Sequence, residues 1–309
     1  MKLIAPEGYT DFACIAGACR HTCCKGWEID IDEDAAARYA DYSGEIGEAL
    51  RAAIDTDEDG AHFHLMGEEE RCPMLMENGL CRLICEKGEE ALCQICTDHP
   101  RFRHFMTDRV EIGLGLCCEE AAREQLSREA PFRLVTVEDD GADEAPDPEE
   151  QGFYRWRQAL MHLATDRARS VTDRAEALEA CVGGQLVQDL SQWAEPLLSL
   201  EILSEDWRGL LTRLKDWKGQ SVTAERLPIP SEQLLCALLY RHTADALEDG
   251  DAAGQVMLSV FLWQLCMALA DMVGASSVEE LADIARMMSS ELEYSQENLD
   301  ALLEWMGEE

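Results

Sequence analysis

At 309 residues the chain is long enough for one large domain or two ordinary ones, and its 47% hydrophobic content can bury a real core, which excludes global disorder. With 63 acidic against 26 basic side chains the net charge is −37. A surface that negative repels phosphate, so neither nucleic acid nor an anionic membrane is expected as a partner, whereas basic partners stay open.

Met1 to Gly8 contains no apolar run of signal-peptide length, and a cytoplasmic setting follows as the expectation. Trp27 to Asp32 alternates apolar and polar residues, which predicts a short half-buried strand, with a helix over Glu33 to Tyr42. Phe63 to Leu65 and Met74 to Cys85 read as extended pieces, the second broken by a tight turn at Asn78-Gly79. Gly113-Leu114-Gly115, with Glu138 downstream, imitates a nucleotide-binding turn. The third glycine is missing, and Thr107-Asp108-Arg109 is too charged to lead into a central parallel strand. Cys118 to Arg128 is expected to be helical and Phe132 to Val137 extended.

Residues 138–150 hold eight acids, two prolines and no base, a linker composition. Amphipathic helices are expected beyond it over Phe153 to Ala168, Asp173 to Trp193 and Leu200 to Trp217. Pro228 and Pro230 mark a loop, with Ser231 as the N-cap of the next helix. Three more helices follow, over Ala252 to Val273, Val278 to Glu293 and Gln296 to Trp305. Ser277 and Glu280 form a capping-box pattern before the second of these. Val256 to Val273 is apolar but short for a membrane span and interrupted by Gln264 and Asp271, so a buried core helix is expected. The fold class is therefore mainly α. A cysteine-rich metal-binding N-terminal module with minor β structure (1–137) is followed by an acidic linker (138–150) and an all-α helical domain (151–309).

Eleven of the fourteen cysteines fall within residues 1–118, and only Cys181, Cys236 and Cys266, read as inert core or surface thiols, lie beyond. Reduced thiols this dense in a chain without a secretory signal point to metal rather than disulfides. Cys14, Cys19, Cys23 and Cys24 are followed by Cys72, Cys81, Cys96 and Cys118. The spacing is neither the doubled CxxC of a zinc ribbon nor the CxxxCxxC of radical S-adenosylmethionine enzymes, so zinc and an iron–sulfur cluster both stay open. Cys93-x2-Cys96 is a local CxxC without the βαβ surroundings of a redox motif. His62, His64, His99 and His104 could ligate through imidazole nitrogen, but ordinary hydrogen-bonded histidines are expected.

Phe12-Ala13-Cys14, Cys19-Arg20-His21-Thr22-Cys23-Cys24-Lys25-Gly26-Trp27 and Cys72-Pro73-Met74-Leu75 through Asn78-Gly79-Leu80-Cys81 carry a resemblance. It continues through Leu92 to Cys96, His99-Pro100-Arg101, Glu111, Cys118-Glu119-Glu120-Ala121-Ala122-Arg123 and Ser290-Glu291-Leu292-Glu293-Tyr294-Ser295 with Asn298-Leu299. With these segments the chain resembles the flagellin lysine-N-methylase family. The cysteine pattern is also similar to that of zinc- or iron-chelating cysteine-cluster domains. His99 departs from an expected aromatic and Cys117 from an expected serine, and Cys85 and Cys93 are additional.

The resemblance implies methyl transfer from S-adenosylmethionine to lysine side chains of flagellin. It also implies a [4Fe-4S] cluster, with zinc as the alternative, on Cys14, Cys19, Cys23, Cys24, Cys72, Cys81, Cys96 and Cys118. Arg101 is the expected holder of the donor carboxylate through its bidentate fork. Glu111 is the expected carboxylate for deprotonating the lysine. The rival reading is a metal or iron–sulfur module without catalysis, acting as a chaperone, sensor or assembly factor.

Overall fold

The strand that opens the chain, Lys2–Pro6, sits between two strands that come more than a hundred residues later. It pairs parallel with Arg109–Leu114 and antiparallel with Leu134–Asp139. Arg101–Phe105 completes the far edge of this four-stranded sheet. The computed structural model describes residues 1–58, 60–142, 145–219 and 221–307. By packing, Met1–Phe12 and Phe102–Glu309 form one unit, and Ala13–Arg101 form a second.

This partition differs from the one expected from composition, and the sheet is the reason. Strands at 2–6, 109–114 and 134–139 exchange backbone hydrogen bonds with one another and so belong with the helices rather than with the cysteines. The acidic stretch 138–150 begins inside the strand Leu134–Asp139 and ends inside the helix Pro148–Ala164, whose N-cap Asp147 forms a capping box with Glu150. Asp143 and Glu144 of that stretch lie outside the described residues.

Arg109–Leu114 is an interior strand, parallel to Lys2–Pro6, in spite of its charged start. The charge is neutralised locally: Arg109 Nη2 bonds Asp108 Oδ2 at 2.9 Å, and the guanidinium lies 3.9 Å over the Tyr154 ring. Gly113 is a packing glycine, since a Cβ there would fall 2.3 Å from the Phe102 ring.

The helices of this unit bury one continuous core. Pro228–His242 packs on Ala252–Val273, and Glu119–Leu126 packs on Val278–Met288. Ala252–Val273 is long and apolar enough to cross a membrane, yet Val256, Leu258, Val260, Leu262, Leu265 and Leu269 are all buried inside the unit, as expected of a core helix. Two expectations change. The helix from Asp173 stops at Cys181, because Gly183 takes a left-handed φ of +82°, and only a short 3-10 turn remains at Leu190–Trp193. After the helices Ala194–Ser199, Glu205–Leu214 and Thr223–Arg226, a further helix starts at Pro228, where a missing N–H costs nothing, so Ser231 is interior rather than a cap. Its Oγ accepts from Trp263 Nε1 at 3.0 Å. The capping box of Ser277 and Glu280 is present, but the helix it opens changes at Ser289–Glu293 into a π turn.

In the second unit, Asp30–Ile31 pairs with Ala61–Phe63, which pairs in turn with Ile54–Thr56. Glu33–Asp41, capped by Asp32 Oδ1 on Ala35 N at 2.9 Å, and Gly44–Ala53 cover this small sheet. Cys72-Pro73-Met74-Leu75 folds back through a turn in which Gly79 has φ +78°, giving a Leu75–Cys81 bridge. Beyond Cys81 the chain is helical over Arg82–Lys87 rather than extended.

Candidate functional site

The core of the Ala13–Arg101 unit is partly made of sulfur. Cys72 and Cys93 are buried among Ile29, Tyr39, Leu50, Phe63 and Leu83, with Cys24, Cys81 and Cys96 packed against them. The backbone fixes these neighbours: Cys72 N donates to Cys24 O at 2.9 Å, and the turn at Gly79 returns Cys81 to the same strand pair. Cys93 is the N-cap of the short helix Gln94–Asp98, so Cys96 lies one turn on.

The electrostatics report the same convergence. A hydrogen bond from Cys23 lowers the Cys24 thiol to about 7, against the opposing effect of burial and with help from Thr22. A hydrogen bond from Cys96 likewise lowers Cys93 to about 7. Burial pushes Cys72 up to about 12, with the charges of Cys24, Cys81 and Cys93 adding to the rise. Cys81 is raised by burial, and Cys96 is raised by its bond to Cys93, by burial and by the charges of Cys93, Cys24 and Cys72. Soft thiols that disfavour one another's ionisation in a buried cluster suit a thiophilic cation, whose charge removes that conflict and draws off their protons. By donor chemistry alone, thiols are the side chains that zinc and iron–sulfur clusters take. Among the described residues no group of three or more His, Cys, Asp or Glu side chains stands in closed ligating geometry.

Of the eight expected ligands, the structure brings Cys24, Cys72, Cys81 and Cys96 into this cluster, while Cys23 is exposed and joins it through its hydrogen bond to Cys24. Cys14 is exposed, its Sγ accepting from Ala16 N at 3.4 Å, and Cys19 follows the 3-10 turn Ala16–Ala18. Cys118 belongs to the other unit, as N-cap of Glu119–Leu126. The cluster also contains Cys93, which lies outside the expected set and whose signal in the sequence is the two-residue spacing to Cys96. Cys85 is exposed. His62 Nδ1 faces Glu28 and Asp57 at 3.7 and 3.8 Å, and His99 lies 5.9 Å from the Trp27 ring, with burial lowering it to about 4.

Arg101 Nη1 donates to Thr97 O at 3.3 Å. Glu111, on the strand Arg109–Leu114, is fully buried, and its Oε1 accepts from Arg157 Nη2 at 2.6 Å. This is the geometry of an interior counter-ion, and a role as base would require Arg157 to release it. A second polar group that composition did not reveal lies at the π turn. Glu293 is buried between His242 Nε2 at 2.9 Å and Arg241 Nε at 3.3 Å. Burial works against its ionisation, but the Arg241 charge and the hydrogen bond with His242 prevail and lower it to about 2. Cys117, pushed up to about 12 by burial, interacts with Tyr294 beside it.

The chain is 32% identical over 123 residues to a lysine-N-methylase of Salmonella choleraesuis and 31% identical over 120 residues to one of Salmonella typhimurium. Each match covers 37% of this chain and 30% of the relative. It is also 32% identical over 120 residues to the flagellar biosynthetic protein FliU of Salmonella muenchen, covering 71% of that protein. The matched region thus spans less than a third of the lysine-N-methylases but most of the FliU chain. No family model matches, and no solved structure matches.

Proposed function

The chain belongs to the lysine-N-methylase and FliU family, and from that premise we propose that it transfers methyl groups from S-adenosylmethionine to lysine side chains of flagellin or a related flagellar protein. We propose further that it does so as a protein holding a [4Fe-4S] cluster, or zinc, on its thiols. The observation that carries the metal assignment is the packing of Cys24, Cys72, Cys81, Cys93 and Cys96 into one small core, with Cys24 and Cys93 drawn towards neutral pH. When bound, the metal group supplies a positive centre that keeps these thiols ionised and ties the segments 23–24, 72–81 and 93–96 together.

Methylation needs a neutral amine, because only the lone pair of lysine can displace the sulfonium methyl group. The protein must therefore take the ammonium out of water and pass its proton to an acceptor. Lysine on the target meets an acidic surface here, and the excess of 63 acidic over 26 basic side chains favours its approach. In this reading Arg101, its Nη1 fixed on Thr97 O, offers the fork that recognises the donor carboxylate.

Anaerobic purification with iron, zinc and sulfide analysis tests the first half of the reading. Labelled methyl transfer to purified flagellin tests the second. Metal on the thiols without any transfer would favour the rival reading of a module that binds metal and docks proteins without catalysis.

A further inference from the structure

A cleft of about 370 Å³ opens within the Met1–Phe12 and Phe102–Glu309 unit, between the turn after Lys2–Pro6, the C-terminal half of Glu119–Leu126 with the segment to Arg133, and Pro228–His242. Its volume lies in the range of small-ligand sites, roughly 300–1,000 Å³. The two arginines on its wall are already engaged. Arg128 Nη2 donates to Gly8 O at 2.9 Å and to Asp11 Oδ2 at 3.2 Å. It lies so close over Gly8 that a Cβ there would fall 1.7 Å from its Cζ. Arg133 forks onto both oxygens of Glu7.

The two glutamines use their donors in the same way. Gln125 Nε2 donates to Leu114 O and Ala121 O, both at 3.1 Å. Gln233 Nε2 donates to Arg128 O at 2.9 Å and Ala130 O at 2.7 Å. Each amide is thereby oriented, and its carbonyl oxygen is left as an acceptor. Glu124, also on the wall, has its Oε2 buried with no hydrogen-bond partner among the described residues. These donor groups are thus engaged within the protein, whereas Glu124 Oε2, within reach of the charges of Arg123 and Arg128, has no hydrogen-bond partner among the described residues. A buried acceptor of this kind is costly until a donor arrives. Leu114, Phe132 and Ala237 supply an apolar wall beside it, with Phe132 braced 5.7 Å from the Tyr240 ring.

We propose that this cleft seats an alkylammonium group, the side chain of a lysine, with Glu124 as its counter-ion and the carbonyl oxygens of Gln125 and Gln233 as further acceptors. The proposal rests on the reading of the chain as a lysine N-methylase and names where that enzyme holds its acceptor. The methylenes of lysine lie along the apolar wall, the ring of Phe132 adds attraction for the cation, and three N–H groups meet three acceptors.

The test uses the anaerobically purified full chain and Nα-acetyl-lysine amide as the probe, with binding followed by NMR. The neutral Nε-acetylated amide and S-adenosylmethionine serve as comparison ligands. The lysine amide is expected to bind at least about tenfold more tightly than the neutral amide, and Glu124→Gln to remove about that factor, since hydrogen bonds to charged groups are the strong ones. Glu124→Asp, which keeps the charge, should recover part of the loss and shows that the site still folds. Equal affinity in Glu124→Gln and the parent overturns the proposal. So does a loss confined to S-adenosylmethionine.

Methyl transfer to flagellin, measured in parallel, separates the two levels. A parent that methylates while Glu124→Gln leaves the flagellin KM unchanged sinks the cleft and spares the enzyme. A parent that methylates nothing, yet loses lysine amide binding in Glu124→Gln, spares the cleft and sinks the enzyme.

Discussion

Arg157→Met is the sharpest test of how the interior of the sheet-containing unit is held. Arg157 and Glu111 have side chains 5% and 0% exposed, joined by one 2.6 Å bond from Nη2 to Oε1. Glu111 Oε2 and Arg157 Nη1 are both buried with no hydrogen-bond partner among the described residues, so the pair is imperfectly satisfied. Removing Arg157 leaves the buried Glu111 with only Arg109 Nη1, 3.9 Å away, as a weak counter-charge, at a cost of about 3–5 kcal/mol. For a unit of this size each kcal/mol moves the melting temperature by about 2–4 °C, so the expected fall is roughly 6–20 °C. Glu111→Leu combined with Arg157→Met removes both charges and should restore most of that stability, because an apolar replacement of such a pair is often neutral or better.

Calorimetric melting of the parent, of Arg157→Met and Glu111→Leu each alone, and of the double variant decides the matter. A fall under about 2 °C in Arg157→Met, or a double variant as unstable as the sum of its parts, would refute the reasoning. The double variant also judges Glu111 as a base. Methyl transfer persisting in it makes Glu111 a counter-ion, and loss of transfer in a stable double variant makes it part of the chemistry.

Glu179 is buried, its Oε2 has no hydrogen-bond partner among the described residues, and burial pushes its carboxyl up to about 7. A folded-state value above the ordinary 4.5 means that the native state holds a proton the unfolded state gives up, so stability falls as pH rises from about 4.5 to about 7. Glu179→Gln should flatten that fall and melt higher than the parent at pH 8 but not at pH 4, by at most about 3 kcal/mol; parallel stability curves would contradict this. Gly8→Ala places a Cβ on Arg128 at φ +86° and should cost about 2 kcal/mol or more from backbone strain together with displacement of the arginine, read by urea unfolding; an unchanged midpoint would count against the account. Cys93→Ser is expected to lower bound metal in anaerobic preparations and Cys85→Ser to leave it unchanged, with equal content in both variants contradicting the membership of Cys93. Ser231→Ala leaves the Trp263 indole N–H with only the Ser231 carbonyl at 3.1 Å and should cost about 1 kcal/mol in thermal unfolding.

Periodicity made the helices legible where one face alternates with another: Glu33–Asp41, Ala252–Val273 and the capped Val278–Met288 lie close to where their patterns place them. It failed where a local rule was overridden. Ser231 looked like a cap because a serine before leucines is usually one, but Pro228 starts the helix a turn earlier and Trp263 claims the hydroxyl. The parallel strand Arg109–Leu114 was obscured by the charges of Asp108 and Arg109, whose mutual pairing and stacking on Tyr154 depend on a helix forty residues away. No composition window shows that Lys2–Pro6 joins this sheet, since strand pairing is a long-range choice.

The cysteine pattern indicated one set of thiols, and four of the expected positions, Cys24, Cys72, Cys81 and Cys96, pack into one core. The place of Cys93 within that set depended on the capped turn before Gln94, and the assignment of Cys118 to the other unit depended on the sheet. The cleft was not legible at all, because its acceptors are defined by which backbone carbonyls Gln125 and Gln233 already bond.

Methyl transfer by the anaerobically purified, metal-loaded chain, with labelled S-adenosylmethionine and intact flagellin, tests the central claim most directly. Label recovered on lysine side chains, and lost when the cysteine cluster is disrupted, is the predicted result. Flagellins left unlabelled by protein that retains its full metal content would contradict it.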